Sequence, residues 1–250
     1  MLDGMKLASQ GMLAMMAKQD VISNNLANAS TAGFSADTLM TTSFSDALTE
    51  KMADKGFTPV GGVSDGVPKI GVKVATAYQQ GAMRATGINT DLAIGGKGFF
   101  TIQTPQGIRY TKNGAFKINE EGYLVTANNE KVLGFNGPIK VEGDNFQVDD
   151  NGVISIDGKK IDRLRITEFD NMDELVKAGG TNYMPKSPSN IGRVSSDPMI
   201  KQGFLEMSNV STIKEMVAMM DVMRAYELNS KALQTEDQML AKSVNEVGKA

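Results

Sequence analysis

Few side chains in this 250-residue sequence can do chemistry: His, Cys and Trp are absent, so carboxylates, Lys, Tyr, Ser and Thr carry whatever reactivity there is. A Ser-His-Asp triad, a thiol nucleophile and the usual zinc sites are therefore excluded. Gly95-Gly96-Lys97-Gly98 has the look of a phosphate-cradling loop. A Walker loop, however, needs Gly five residues before its last Gly, where Asp91 stands, and Phe99-Phe100 follow where Ser or Thr and a helix belong. Asp149-Asp150-Asn151-Gly152 invites a calcium-loop reading. With Gly152 at the sixth place, Gln147 and Gly158 fill the first and twelfth, so the ligating carboxylates are missing and a hairpin turn is expected. Glu120-Glu121 offers paired acids of the kind a glycoside hydrolase uses, and a carboxylate-based peptidoglycan hydrolase is the reading from a different class. Adjacent residues in a turn point apart, which favours a solvated acidic turn. No catalytic, metal or cofactor site is expected.

The elements that would have to position such residues are unlike one another along the chain. All seven prolines lie between Pro59 and Pro198, leaving both ends free of the strongest helix breaker. Near the N-terminus Met5, Ala8, Met12, Met15, Ile22 and Leu26 keep a 3-4 spacing broken only at Gln19; near the C-terminus Met219, Tyr226, Leu233, Leu240 and Val247 recur every seven residues. A seven-residue apolar repeat sets one seam of a helix against another helix. Helices are predicted from about Asp3 to Ala29 and from about Ser211 to Val247, the second capped by Ser211 or Thr212 with Glu215 in its first turn and closed by Gly248. Eleven of the seventeen methionines fall within residues 1–16 or 207–239. Met216, Val217, Met220 and Met223 widen the second helix's stripe beyond what one partner helix covers, which points to polymerisation. Arg224 and Glu227, three apart, form either a surface ion pair or part of an interface.

Residues 35–75 lose periodicity and gain Gly and Pro, as an extended connector does. Short apolar runs then alternate with turn signals. Strands are predicted near Leu92–Ile94, Phe99–Gln103, Ile108–Thr111, Tyr123–Thr126, Val132–Gly134, Val153–Ile156 and Leu164–Phe169, with one helical turn within Met172–Lys177. Asn113-Gly114, Asn136-Gly137, Asn151-Gly152 and Asp157-Gly158 read as type I′ hairpin turns. The expected fold is α+β: residues 1–34 and 201–250 give the two helices of one discontinuous coiled-coil domain, 35–75 the connector, and 76–200 an antiparallel β-rich domain. A net charge of −3 gives no basic footprint for nucleic acid. Asp3 and Gly4 stand where a signal peptide's basic region belongs, and no apolar run approaches a membrane span, so the chain is expected to be cytoplasmic or to leave the cell by a route that reads no cleavable signal.

Several segments resemble the axial proteins of the bacterial flagellar rod and hook. Ser23-Asn24-Asn25-Leu26-Ala27-Asn28-Ala29-Ser30-Thr31-Ala32-Gly33-Phe34 is similar to their N-terminal signature, and Gln202–Val210 with Arg224–Lys231 to their C-terminal one. Asp91–Ile94, Gly98–Phe100 and Tyr110–Phe116 are similar to the family's β domain. Within the family, Gln103–Gly107 and Val132–Ile139 are nearest the proximal rod proteins, and the run Arg224–Glu227 is shared with the distal ones. The resemblance implies a rod subunit of the flagellar basal body, spanning the periplasm. Its terminal helices would form the inner coiled-coil layer of a helical tube and its β domain the outer one. It further implies copies of the same chain and other rod subunits as partners, passage through the flagellar type III export apparatus, and a mechanical role in motility. The residues expected at the subunit interface are Met5, Met12, Met15, Ile22, Asn24, Asn25, Leu26 and Asn28 on the first helix, with Met216, Met219, Met220, Met223, Arg224, Tyr226, Leu233, Leu240 and Val247 on the second. The Asn amides either satisfy the helix's last carbonyls or bridge to neighbours, and Asn is equally at home in a left-handed turn. Gly33 is expected to turn the chain out of the helix.

Overall fold

The computed structural model describes residues 2–42, 71–142 and 146–247, with side chains over 8–40, 73–142, 146–239 and 241–242. Residues 43–70 of the expected connector, and Gly248 as a helix stop, lie outside the described residues. The fold is α+β and divides into a helical unit (Met1–Ala27, Asp37–Ala75, Ser211–Ala250) and a β unit (Asn28–Ala36, Thr76–Val210).

The helical unit holds α1 (Leu2–Ala27), the paired strands β1 (Asp37–Thr42) and β2 (Gly71–Thr76), and α2 (Thr212–Val247). At 1.5 Å per residue the 36 residues of α2 reach about 54 Å. Its first intrahelical bond runs from Glu215 N to Ser211 O at 3.0 Å, which sets Ser211 at the cap. The two helices pack along each other. They run antiparallel, since Asn229 lies opposite Gly11 while Glu215 meets Asn25.

The β unit contains β3 (Met83–Ala85), β4 (Leu92–Ile94), β5 (Phe99–Thr104), β6 (Gly107–Thr111), β7 (Lys117–Ile118), β8 (Leu124–Val125) and β9 (Lys131–Val132). It continues with β10 (Phe146–Val148), β11 (Val153–Ile156), β12 (Lys159–Arg163), β13 (Ile166–Glu168), β14 (Leu175–Lys177) and β15 (Asn182–Pro185). Last come β16 (Arg193–Val194), β17 (Ile200–Gln202) and β18 (Phe204–Glu206). Its largest sheet runs β14-β15-β6-β5-β9-β8-β7, and β13 joins both β5 and β16. Strand β5 organises this sheet, pairing antiparallel with β6 along one edge and with β13 and then β9 along the other. It is buried on both faces over Phe99–Ile102, the adjacent Phe99 and Phe100 entering opposite sides of the sheet. Phe100 and Ile102 enter a large core with Leu92, Ile94, Leu164 and Ile166, whereas Phe99 enters an aromatic core with Phe169, Leu175 and Tyr183. Between them the buried Thr101 and Thr167 hydroxyls bond at 2.9 Å.

Of the four dipeptides read as type I′ turns, only Asp157-Gly158 has the required positive φ at both positions (50° and 78°), and it joins β11 to β12. At Asn136-Gly137 and Asn151-Gly152 only the glycine is left-handed. The Asp149 carboxylate accepts bonds from Asn151 N and Val153 N, fixing that turn from outside the dipeptide. Asn113-Gly114 has no positive φ at all. Gly114 is there because a Cβ would lie 1.6 Å from Leu92 O, so close backbone approach rather than turn type selects it. The helical turn expected within Met172–Lys177 is a 3₁₀ turn over Met172–Glu174 that passes directly into β14.

Candidate subunit interface

The inner and outer faces of α1 and α2 differ in kind. On α1 the buried side chains are Ala14, Ile22 and Asn25; Met12, Met15 and Leu26 are half-buried, and Leu13, Met16 and Asn24 face outward. On α2, Val222 is buried and the heptad residues Met219, Tyr226 and Leu233 are half-buried. Ile213 (71% exposed), Met216, Val217, Met220 and Met223 face the other way, with Arg224 and Glu227 continuing the outward stripe. The side chains of Met5, Leu240 and Val247 lie outside the described residues. Buried apolar side chains of the helical unit are thus few among the described residues: Ala14, Ile22 and Val222.

Asn25 is an internal latch. Its Oδ1 accepts from Asp37 N (2.9 Å) while its Nδ2 donates to Asp37 O (2.7 Å) and to Glu215 Oε1 (3.3 Å). One amide thereby pairs with the backbone where β1 begins and with the first turn of α2. Asn28 accepts at Oδ1 from the Thr31 hydroxyl (3.3 Å), and its carbonyl accepts from Thr31 N (3.1 Å), closing the turn that follows α1.

Of the residues that anchor the β unit's own chain ends, sequence reasoning named the turn at Gly33 but gave no individual role to Lys112, Gln202, Glu206 or Asn209. The Glu206 carboxylate and the Lys112 ammonium, 4% and 3% exposed, form an ion pair at 3.3 Å, and Gly81 N donates to the same carboxylate at 3.0 Å. Gly33 N donates to Glu206 O at 2.8 Å. At Gly33 φ is +67° and a Cβ would lie 2.2 Å from Asn113 N, so only glycine fits. Asn209 receives Ala36 N (2.7 Å) and donates to Ala77 O (2.7 Å) and Gln79 O (2.9 Å). Gln202 receives Val148 N (3.1 Å) and donates to Phe146 O (3.0 Å), so its amide extends the edge of β10 as a strand would. The available signal was their place inside the repeated signatures, which join three sequence-distant segments here.

The residues first singled out for chemistry do not converge. Glu120 and Glu121 are exposed between β7 and β8, and Glu121 pairs with Lys131 (3.4 Å), whose ammonium lies 4.0 Å from the Tyr123 ring centroid. Gly95 N donates to Met199 O (2.9 Å), which commits the Gly95–Gly98 turn to β-sheet packing. Among the described residues no group of three or more Asp or Glu is placed to hold a metal ion. The exposed Glu142 carboxyl is held below its ordinary range by the hydrogen bond and charge of Lys140, a local effect at the surface.

Long apolar-faced helices at both termini and a sheet-built unit between them define a structural protein of the axial-subunit type. Family models agree along the chain: "Flagella basal body rod protein" matches residues 5–34, "Flagellar hook protein FlgE/F/G D1 domain" residues 93–156, and "Flagellar basal body rod FlgEFG protein C-terminal" residues 201–246. The chain is 33% identical over 254 residues to the flagellar basal-body rod protein FlgG of Bacillus subtilis, covering 94% of this chain and 95% of that one. It is 34% identical over 257 residues to FlgG of Borreliella burgdorferi (93% and 94% covered). With the rod protein FlgF of Caulobacter vibrioides it shares 33% over 233 residues (92% and 91% covered). The chain belongs to the flagellar basal-body rod protein family and is a structural subunit of the flagellar basal body. FlgG and FlgF relatives match to the same degree, so position along the rod is a separate question.

Proposed function

We propose that this subunit polymerises through its terminal helices, α1 and α2 pairing as a coiled-coil layer on the inside of a helical tube and the β unit forming the outer layer. One observation carries the reading: α2 presents Ile213, Met216, Val217, Met220 and Met223 to solvent while its opposite face is already packed. A helix apolar on two sides needs neighbours beyond one partner. The neighbours are copies of this chain and other rod subunits, the tube transmits torque for motility, and the chain catalyses nothing. A proximal position is supported by the segments Gln103–Gly107 and Val132–Ile139, with a distal position as the alternative; the near-complete coverage of FlgG and FlgF relatives fits either.

The subunit reaches its position through the flagellar type III export apparatus. A chain without Cys forms no disulfide that would obstruct threading, and among the described residues no helix is long and apolar enough to cross a membrane. Complementation of a deletion strain with the Met216→Asp/Met220→Asp chain tests the interface. The expected result is normal expression, a β unit with unchanged near-ultraviolet circular dichroism, and basal bodies lacking this rod segment under the electron microscope. Complete rods built from that variant would overturn the reading.

A further inference from the structure

All sulfur in this chain is thioether: there are 17 methionines and no cysteine. Among the described residues, Met216, Met220 and Met223 are 48%, 50% and 48% exposed and, at i, i+4 and i+7, share the outward stripe of α2 with Ile213 and Val217. Met16, Met40 and Met239 of the helical unit (49%, 55% and 60%) and Met199 of the β unit (50%) are exposed to a similar degree but do not belong to this stripe, while Met12, Met15 and Met219 are half-buried on the inward faces. Oxidation of a thioether follows its access to the oxidant and replaces a flexible apolar side chain by a polar, chiral one.

We propose that Met216, Met220 and Met223 form an oxidation-sensitive patch through which a peroxide blocks subunit association; the effect on association rests on the assembly reading above. In each event the methionine sulfur attacks one peroxide oxygen, the O–O bond breaks and an S–O bond forms. Sulfur loses two electrons, and hydrogen peroxide is reduced to water. The sulfoxide oxygen is a strong acceptor; Ile213 and Val217 beside Met216 offer it no donor, and Arg224 is the one guanidinium on the stripe. Packing a neighbouring helix over it buries an unpaired acceptor, which opposes association.

The test treats the purified full-length chain with hydrogen peroxide, follows each methionine by peptide mass mapping, and measures association by sedimentation velocity. Met216, Met220 and Met223 are expected to oxidise at least about threefold faster than Met12, Met15 and Met219, as access dictates. Oxidised chain is expected to need about tenfold higher concentration to associate, a change of about 1.4 kcal/mol. The Met216→Leu/Met220→Leu/Met223→Leu chain keeps its association before and after peroxide, and Met199→Leu gives no such protection. Methionine sulfoxide reductases acting on both epimers restore the wild-type chain. Equal oxidation rates, unchanged association of the oxidised chain, or loss of association by the peroxide-treated triple-leucine chain would each overturn the proposal. Untreated wild-type chain that stays monomeric at every concentration would instead remove the assembly reading and the proposal together, an outcome distinguished because it appears before any peroxide is added.

Discussion

Three amide side chains in this protein act as stand-ins for peptide groups. Asn25 bonds both N and O of Asp37, Gln202 bonds Val148 N and Phe146 O, and Asn209 bonds Ala36 N together with two carbonyls. A carboxamide offers one acceptor and two donors in a plane, so it completes a backbone edge that no strand reaches. Removing such a group takes these hydrogen bonds away from part-buried backbone atoms. Asn25→Ala should therefore cost about 1–3 kcal/mol in the stability of the helical unit, read by denaturant unfolding monitored through far-ultraviolet circular dichroism. Asn25→Asp should be worse at neutral pH despite its identical shape. It loses both donations and sets a carboxylate against Glu215 and Asp37 O, and stability should recover in part as the new acid protonates on acidification. A variant equal to wild type at neutral pH would remove the latch. Lys112 and Glu206 present the ionic counterpart. Lys112→Met alone should destabilise the β unit by about 3–5 kcal/mol, because the Glu206 charge stays buried, whereas Lys112→Met/Glu206→Leu should recover much of that loss. A double-mutant cycle with no coupling would show that the Lys112–Glu206 pair contributes nothing to stability.

At the scale of elements, glycines occupy two kinds of backbone setting, helix interior and helix exit, that the sequence alone presents alike. Gly11, inside α1, has a helical backbone, and an added Cβ would lie 3.5 Å from Asn229 Nδ2, an ordinary contact. Gly11→Ala should stabilise α1 by about 0.5–1 kcal/mol, seen as a higher melting midpoint of the helical signal. Gly33→Ala meets both a left-handed backbone and a backbone clash, and should cost the β unit about 2–4 kcal/mol. Both helices, strands β4 and β11 with their stated ends, and the axis of the sheet through β5 were legible in the pattern, because apolar period and turn residues are local. What was not legible shares one cause. Strands β17 and β18 and the Lys112–Glu206 pair depend on partners roughly a hundred residues distant, and one strand's polar residue gives no sign of what it meets. Asn113-Gly114 failed for the same reason: its glycine answers to Leu92 O on another strand, not to a hairpin. The interface list read from the helices mixed inward and outward residues. Spacing says that a face is apolar but does not say which apolar residues the chain itself will use, as Ile22 illustrates.

For the molecule as a whole, apolar burial is unevenly distributed, and this decides how the isolated subunit behaves. The β unit holds two cores around β5, whereas the described part of the helical unit buries Ala14, Ile22 and Val222 and leaves Ile213, Met216, Val217 and Met220 in water. A helix gains most of its stability from packing an apolar face, and only a small part from residue propensity. In a dilute monomer, amides of α2 should then exchange with solvent orders of magnitude faster than those of β5 and β6, whose opening requires unfolding of the β unit. Under the assembly proposed above, association covers the outward stripe, so protection over Met216–Leu233 should rise with subunit concentration, while protection in β5 stays constant. Native-state hydrogen exchange with mass detection, run across a concentration series, reads both quantities from one sample. Strong protection throughout α2 at the lowest concentration would mean that the two helices alone supply a complete core. The exposed methionines would then be an ordinary surface, not an unfinished seam.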